Sequence, residues 1–198
     1  ETAKNTLARN PNVVGNGKGD WMHINSMSLL GPNKWYDAGD ERFHPDNIIW
    51  DARESNIMAI ISKKTGKIVW QIGPDFTVNK ELRRIGQIIG QHHCHMIPKG
   101  LPGEGNILMF DNGGWAGYGI PDNCSKDGTK QCKRDYSRAI EIDPTTLKVV
   151  WEFTGAKMNP GDMGMGPLTN NTRFYSQLIS SAQRLPNGNT LITEGCFA

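Results

Sequence analysis

Three of the chain's five histidines lie in the run Gln91-His92-His93-Cys94-His95. Imidazole is the side chain whose unperturbed pKa falls near neutrality, so such a cluster can serve as general acid or base, nucleophile, anion clamp or metal ligand. A related run is Asp20-Trp21-Met22-His23-Ile24-Asn25-Ser26-Met27, and a third is Ser181-Ala182-Gln183-Arg184-Leu185. Aligned on the hydrophobic residue that ends each run, Met27, Ile97 and Leu185 fall in register. Two residues earlier stand Asn25, His95 and Gln183, and four earlier stand His23, His93 and Ser181.

Side chains of a strand alternate faces with period two, so these positions share one face of each strand. His92 and Cys94 are then expected on the opposite face, in packing. Two bland arrangements compete with catalysis. One is a water-filled polar lining in which His, Asn and Gln bond one another. The other is a metal held by His23, His93 and His95. No carboxylate stands near them on the same strands and Cys94 falls on the wrong face, so no metal is expected. His44, in Phe43-His44-Pro45-Asp46, reads as a turn residue.

The elements that must position these side chains are short strands. After the run at 20–27, strands are expected at 46–53, 56–61 and 67–72, the last two joined by the turn Lys64-Thr65-Gly66. The same four parts recur at 93–97, 105–111, 138–142 and 148–153. Lys67-Ile68-Val69-Trp70 and Lys148-Val149-Val150-Trp151 match at a fixed offset of 81, from Trp70 to Trp151. A third copy opens at 181–186 and 188–193. Repeats of four strands, with loop insertions stretching the spacing, are the sequence sign of a β-propeller.

The expected organisation is therefore all-β. Residues 1–20 form a connecting segment, and 21–198 form part of a propeller. Its blades are 21–73, then 90–155 with an inserted loop at 114–136, and the start of a further blade at 175–198. Two and a half blades cannot close a ring, so further sequence or another chain is expected to complete it. Long insertions at 28–45, 114–136 and 154–174 are where binding surfaces usually sit. Met158, Met163 and Met165 in the last of these read as loop packing.

Composition excludes several classes. The chain has 198 residues, 37% hydrophobic and 21% charged, which is ordinary globular material. Its net charge of +2 is spread without basic runs, so neither nucleic acid nor an anionic membrane is an expected partner. Twenty-three glycines, eleven prolines and six tryptophans suit many short strands and tight turns. No stretch approaches the roughly 18–20 apolar residues of a membrane helix, and Glu1 opens no signal-peptide pattern, as expected of a processed or internal segment. Cys124 and Cys132 flank a polar loop and are expected to form a local disulfide, which implies an oxidising compartment. The sequons at Asn123 and Asn170 are short enough to arise by chance.

Several segments together resemble the bacterial arylsulfotransferase (aryl-sulfate sulfotransferase) family. They are the run from Asp20 to Ser26, His44 to Ile49, Lys63 to Gly73, Phe110-Asp111-Asn112-Gly113-Gly114, and Ala182 to Ile192. The resemblance implies a six-bladed propeller, exported to the periplasm or outside. It also implies transfer of a sulfuryl group from an aryl sulfate to a phenol through a sulfated histidine, with neither metal nor cofactor. Neutral imidazole attacks sulfur, and cationic donors offset charge on the sulfate oxygens and the leaving phenolate.

Carried over residue by residue, His23 matches a channel histidine and one of His92 or His93 a second, with His93 preferred. Arg138, after Tyr136-Ser137, matches the arginine, and Arg53 is the other candidate. Asn25, His95, Gln183 and Arg53 are expected to touch substrate. No histidine follows His95, so the nucleophile is expected beyond Ala198 or to have been lost. Two other classes remain open: a non-catalytic propeller that binds or assembles outside the cell, and a propeller holding a quinone, suggested only by the tryptophan-bearing repeats.

Overall fold

The computed structural model describes residues 22–113, 134, 136–155, 174–176 and 179–195. Among these, the chain forms ten strands in three antiparallel sheets. The first sheet runs β1 (Ile24–Leu29), β2 (Ile48–Ala52), β3 (Ile57–Ile61) and β4 (Ile68–Ile72), in chain order. The second runs β5 (His92–Met96), β6 (Ile107–Asp111), β7 (Arg138–Asp143) and β8 (Lys148–Thr154). The third pairs β9 (Ser180–Arg184) with β10 (Thr190–Glu194). The fold is all-β, and successive four-stranded meanders of this kind are consistent with propeller blades.

The offset of 81 residues reappears as geometry. Gly66 and Leu147 occupy the same turn position, with φ of 68° and 56°. Their N–H groups donate to Ser62 and Asp143 at 2.8 and 2.9 Å. Glycine meets a left-handed backbone without a Cβ penalty, whereas Leu147 carries one and is held by the Asp143 carboxylate, which accepts from the N–H groups of Thr145 and Thr146. The register irregularities fall at equivalent places too, Ile60/Ile61 and Glu141/Ile142.

A core lies between the first two sheets. Ile49, Met58, Ile60 and Ile72 meet Met96, Ile107, Met109, Ile140 and Ile142, all nearly inaccessible. Each such side chain contributes about 1.5–3 kcal/mol relative to exposure. The connector between the sheets adds Phe76, Leu82, Ile85 and Ile88 to the same core. Part of it is a helix absent from the sequence expectations, α2 (Lys80–Ile85), following α1 (Lys34–Asp37). Asn79 caps α2 by accepting the Leu82 N–H at 2.8 Å, and Gly86 ends it at φ 74°.

The expected strand at 20–27 is corrected to β1 at 24–29; Asp20 and Trp21 lie outside the described residues. The insertion at 28–45 is not an open loop. Asn33 caps α1, a 3-10 turn follows at Glu41–Phe43, and Phe43 is fully buried. His44 ends that turn, its Nδ1 accepting the Asp46 N–H at 3.2 Å, as its reading as a turn residue requires. The methionine set, both sequons, and Cys124 with Cys132 lie outside the described residues. No helix among the described residues is long and apolar enough to cross a membrane.

The first strands of the sheets pack on one another: β1 against β5, and β5 against β9. At the first junction the fully buried Asp51 on β2 accepts the Ser26 N–H through Oδ1 at 3.2 Å and the Cys94 N–H through Oδ2 at 3.1 Å. Burial pushes its carboxyl up to about 7, against the opposing pull of those N–H donors. An unfolded aspartate titrates near ~3.9, so the native state binds the extra proton between there and about 7. Stability is therefore expected to fall as pH rises through that window, measured as the urea midpoint from pH 4 to 8. Asp51→Asn should flatten the profile and cost about 1–3 kcal/mol at pH 8, because an amide oxygen serves only one of the two donors.

Candidate functional site

Where the first strands abut, four of the histidines come together on two of them. His23 and His93 are equivalent at an offset of 70 and share an unusual backbone, φ 48° and 51°. Non-glycine residues in this region carry strain that the surroundings must hold. Each immediately precedes or lies within a break in register, between Ile24 and Ser26 on β1 and between His92 and His95 on β5. A bulge inserts an extra residue into one strand and re-aims the side chains around it.

His93 and His95 share a face, as expected from period two. Their rings stack with centroids 4.3 Å apart and 26° between planes. His95 Nδ1 lies 2.9 Å from the His93 carbonyl oxygen. A carbonyl only accepts, so Nδ1 carries the proton and Nε2 the lone pair in the neutral ring. His93 Nδ1 lies 2.9 Å from the Ser181 hydroxyl of the third sheet. His93 and Ser181 thus meet between neighbouring first strands, while His23 lies just before β1 and Gln183 is exposed on β9.

His92 is where the structure departs from the alternation. Instead of entering apolar packing, its Nδ1 lies 3.0 Å from the Gly90 carbonyl oxygen and 2.8 Å from Asn112 Oδ1. Its ring is half-buried, and Arg53 and His23 are within electrostatic reach. Burial lowers its pKa most; the Asn112 bond opposes this, and the positive charges of Arg53 and His23 add to the fall. Burial also lowers His93 and takes His95 down to about 4. Cys94, between them, is buried as expected, its thiol pushed well up by burial and by Asp51.

Arg53 is buried, paired with Glu54, and bonded through its N–H to the His23 carbonyl at 2.9 Å. The structure therefore brings His23, Arg53 and His92 together. Asn25 Nδ2 donates to the Gln91 carbonyl at 3.0 Å, tying β1 to the residue before β5, and its Oδ1 is buried without a partner. Arg138 sits apart, two strands from β5, its Nε on Asp111 Oδ2 at 2.8 Å and Nη1 on Glu152 Oε1 at 3.3 Å. Asp111 is fully buried and also takes Arg134 at 2.5 Å; burial raises its pKa, but Arg134 and Arg138 together hold it below the usual range.

Beside the histidines runs a groove of about 550 Å³, lined in part by Ser26, Met27, Leu29, His93, His95 and Lys99. Met27 and Leu29 are 70% and 56% exposed, so its apolar wall is open to a ligand. Among the described residues no group of three or more His, Cys, Asp or Glu is arranged to hold a metal. Asp51 and Asn112 were not singled out from the sequence. A lone carboxylate in apolar strands, as in Ile48-Ile49-Trp50-Asp51-Ala52, is the signal that would have marked a buried anion.

The described residues are all-β and gather histidines, three of them with protonation opposed by burial, along abutting first strands near a buried arginine and a largely apolar groove, a set of groups that suits an anionic ligand. The sequence sharpens that reading: residues 2–198 match the family model described as Arylsulfotransferase (ASST), and the chain belongs to that family. No curated protein and no solved structure is significantly similar to it. Membership supports a sulfotransferase-like function in general.

Burial opposes protonation of His92, His93 and His95. In ¹⁵N-edited spectra followed from pH 8 to 3.5, His92 and His93 should titrate below the ordinary imidazole value of ~6.5, and His95 only near about 4. Titration of His95 at its ordinary value would mean the stacked pair is open to water.

Proposed function

We propose that the protein moves a sulfuryl group from an aryl sulfate to a phenol, with His92 as the attacking residue. The observation that carries this reading is the proton arrangement on His92. Its Nδ1 faces two acceptors, Gly90 O and Asn112 Oδ1, which leaves the lone pair on Nε2 of a ring within electrostatic reach of Arg53 and His23. In the first step Nε2 forms a bond to sulfur, the sulfur–oxygen ester bond breaks, and the phenolate leaves with the electron pair. Arg53 offsets charge on the sulfate oxygens, and His23 supplies a proton to the leaving oxygen.

In the second step an acceptor phenol gives its proton back to His23 as its oxygen attacks sulfur, and the nitrogen–sulfur bond breaks to restore neutral His92. The groove beside His93 and His95, with Met27 and Leu29 on one wall, suits an aromatic ring. His93, Asn25 and His95 then shape the pocket, while Arg138 acts through the buried Asp111 cluster. Family membership further supports reading the four-stranded sheets as propeller blades and a periplasmic or extracellular setting. The reaction as written needs no cofactor.

A non-catalytic binding role is the second reading. It is favoured by Ser181, which stands where the other two first strands carry His23 and His93. Turnover separates the two. The purified protein should release nitrophenolate from 4-nitrophenyl sulfate when phenol is present, and His92→Ala should lower kcat at least on the order of 10³-fold. Saturable binding of the aryl sulfate with no release would establish the binding role instead. Full activity in His92→Ala would remove His92 from the chemistry.

A further inference from the structure

Asn112 follows the last residue of β6 and is fully buried, at the point where the second sheet meets the third. Both polar atoms of its side chain and its carbonyl oxygen are engaged. Its Nδ2 donates to the Ser176 carbonyl at 2.7 Å. Its Oδ1 accepts from the Ser180 hydroxyl at 3.1 Å and faces His92 Nδ1 at 2.8 Å. Its own carbonyl accepts from Ser137 Oγ at 2.7 Å, and Ser137 Oγ in turn accepts the Ser176 N–H at 2.9 Å.

This closed set of bonds decides which way the amide points. The Ser176 carbonyl cannot donate, so the nitrogen of Asn112 must face it and the oxygen must face His92. An amide oxygen cannot donate either, so the proton between the two lies on His92 Nδ1. The Gly90 carbonyl at 3.0 Å demands the same. A flipped amide would set donor against donor at Ser180 only if the hydroxyl failed to turn, but at Ser176 it would set oxygen against oxygen with no remedy.

We infer that Asn112 is the positioning residue for His92: anchored by Ser176, Ser180 and Ser137, it holds Nδ1–H in place and thereby assigns the lone pair to Nε2. The proposal rests on the reading of His92 as the attacking residue and names what prepares it. It also gives the third sheet a part in the site, because Ser180 on β9 binds the same oxygen. A neutral partner suits the role. An aspartate there would favour the imidazolium, which has no lone pair to attack with.

The ring nitrogens of His92 report this directly, assigned by comparison with His92→Gln. In the unsubstituted protein at pH 7.5 we expect a protonated, pyrrole-type Nδ1 and a bare, pyridine-type Nε2. Asn112→Leu should leave only Gly90 to hold the ring, so the two nitrogen signals should move toward each other and kcat should fall about 10²-fold. Asn112→Asp should keep Nδ1 protonated and raise the His92 titration midpoint by about one unit or more.

A proton on Nε2 in the unsubstituted protein would overturn the inference, and this measurement needs no variant to fold. So would unchanged ring signals in a folded Asn112→Leu protein. If the ring signals behave as expected while the unsubstituted protein turns over no aryl sulfate, the positioning stands and the sulfuryl-transfer reading falls.

Discussion

The Asp51 carboxylate accepts one backbone N–H from its own sheet and one from the next, and the placement of every histidine but His44 follows from that junction. β-sheets normally satisfy backbone donors within their own ladders. At Ser26 and Cys94 the ladders are interrupted, and a buried side chain takes over the donors. Ser26 strengthens the same seam, its hydroxyl accepting the Cys94 N–H at 3.1 Å. The departures from regular pairing fall beside His23, His92 and His93, and His23 and His93 carry a left-handed backbone there. Removing the carboxylate would take that acceptor from the Ser26 N–H and leave the Cys94 N–H only the Ser26 hydroxyl, so the cost would be felt in the site as well as in stability.

Further along, the sheets are joined by polar contacts of a different kind. Arg184 on β9 reaches Glu141 on β7 at 2.5 Å, with its guanidinium over the Trp151 ring, and Asn106 binds the other Glu141 oxygen at 2.6 Å. Buried pairs of this sort add little net stability over an apolar replacement, but breaking one partner leaves a buried charge uncompensated. Their effect is to fix how the third sheet docks. That docking sets Ser180 and Ser181 against Asn112 and His93. A structural ion pair far from the histidines thereby controls the distances at the site.

Strand positions were legible in the sequence to within a few residues, because period two, the Lys-x-x-Trp repeat and turn glycines all agreed. The offset of 81 carried down to a shared turn conformation and shared irregularities, although one turn has Gly66 where the other has Leu147. What period two could not reach was His92. Alternation holds only while the ladder is regular, and the break between His92 and His95 changes which side chains share a face. The helix at 80–85 was legible in retrospect from Asn79, an apolar spacing of Leu82 and Ile85, and Gly86. Arg138 shows what a motif match does not carry: it names a residue type, not that Asp111 and Glu152 are paired with its charge.

His92, His93 and His95, whose protonation burial opposes, lie near an arginine paired with Glu54, an electrostatic question that the fold answers only in part by separation. A carboxylate near the rings would draw them toward imidazolium and remove the lone pairs; a carboxylate near the arginine would blunt its pull on an anion. The chain keeps its strongest buried anion, Asp111, with Arg134 and Arg138, one residue short of the Asn112 that touches His92. The adjacent position thus presents an amide where the chain has just buried a charge. Asp51 comes nearest to β5 on the other side, but its oxygens are turned to backbone N–H groups, and burial favours its neutral form. Arg53 is paired with Glu54, the next residue, so it enters the site as a tethered cation whose field still reaches His92. On the proposed reading an incoming anion meets an uncharged His92, whose protonation burial and the Arg53 charge both oppose, and the one proton the reaction moves is carried by His23 instead.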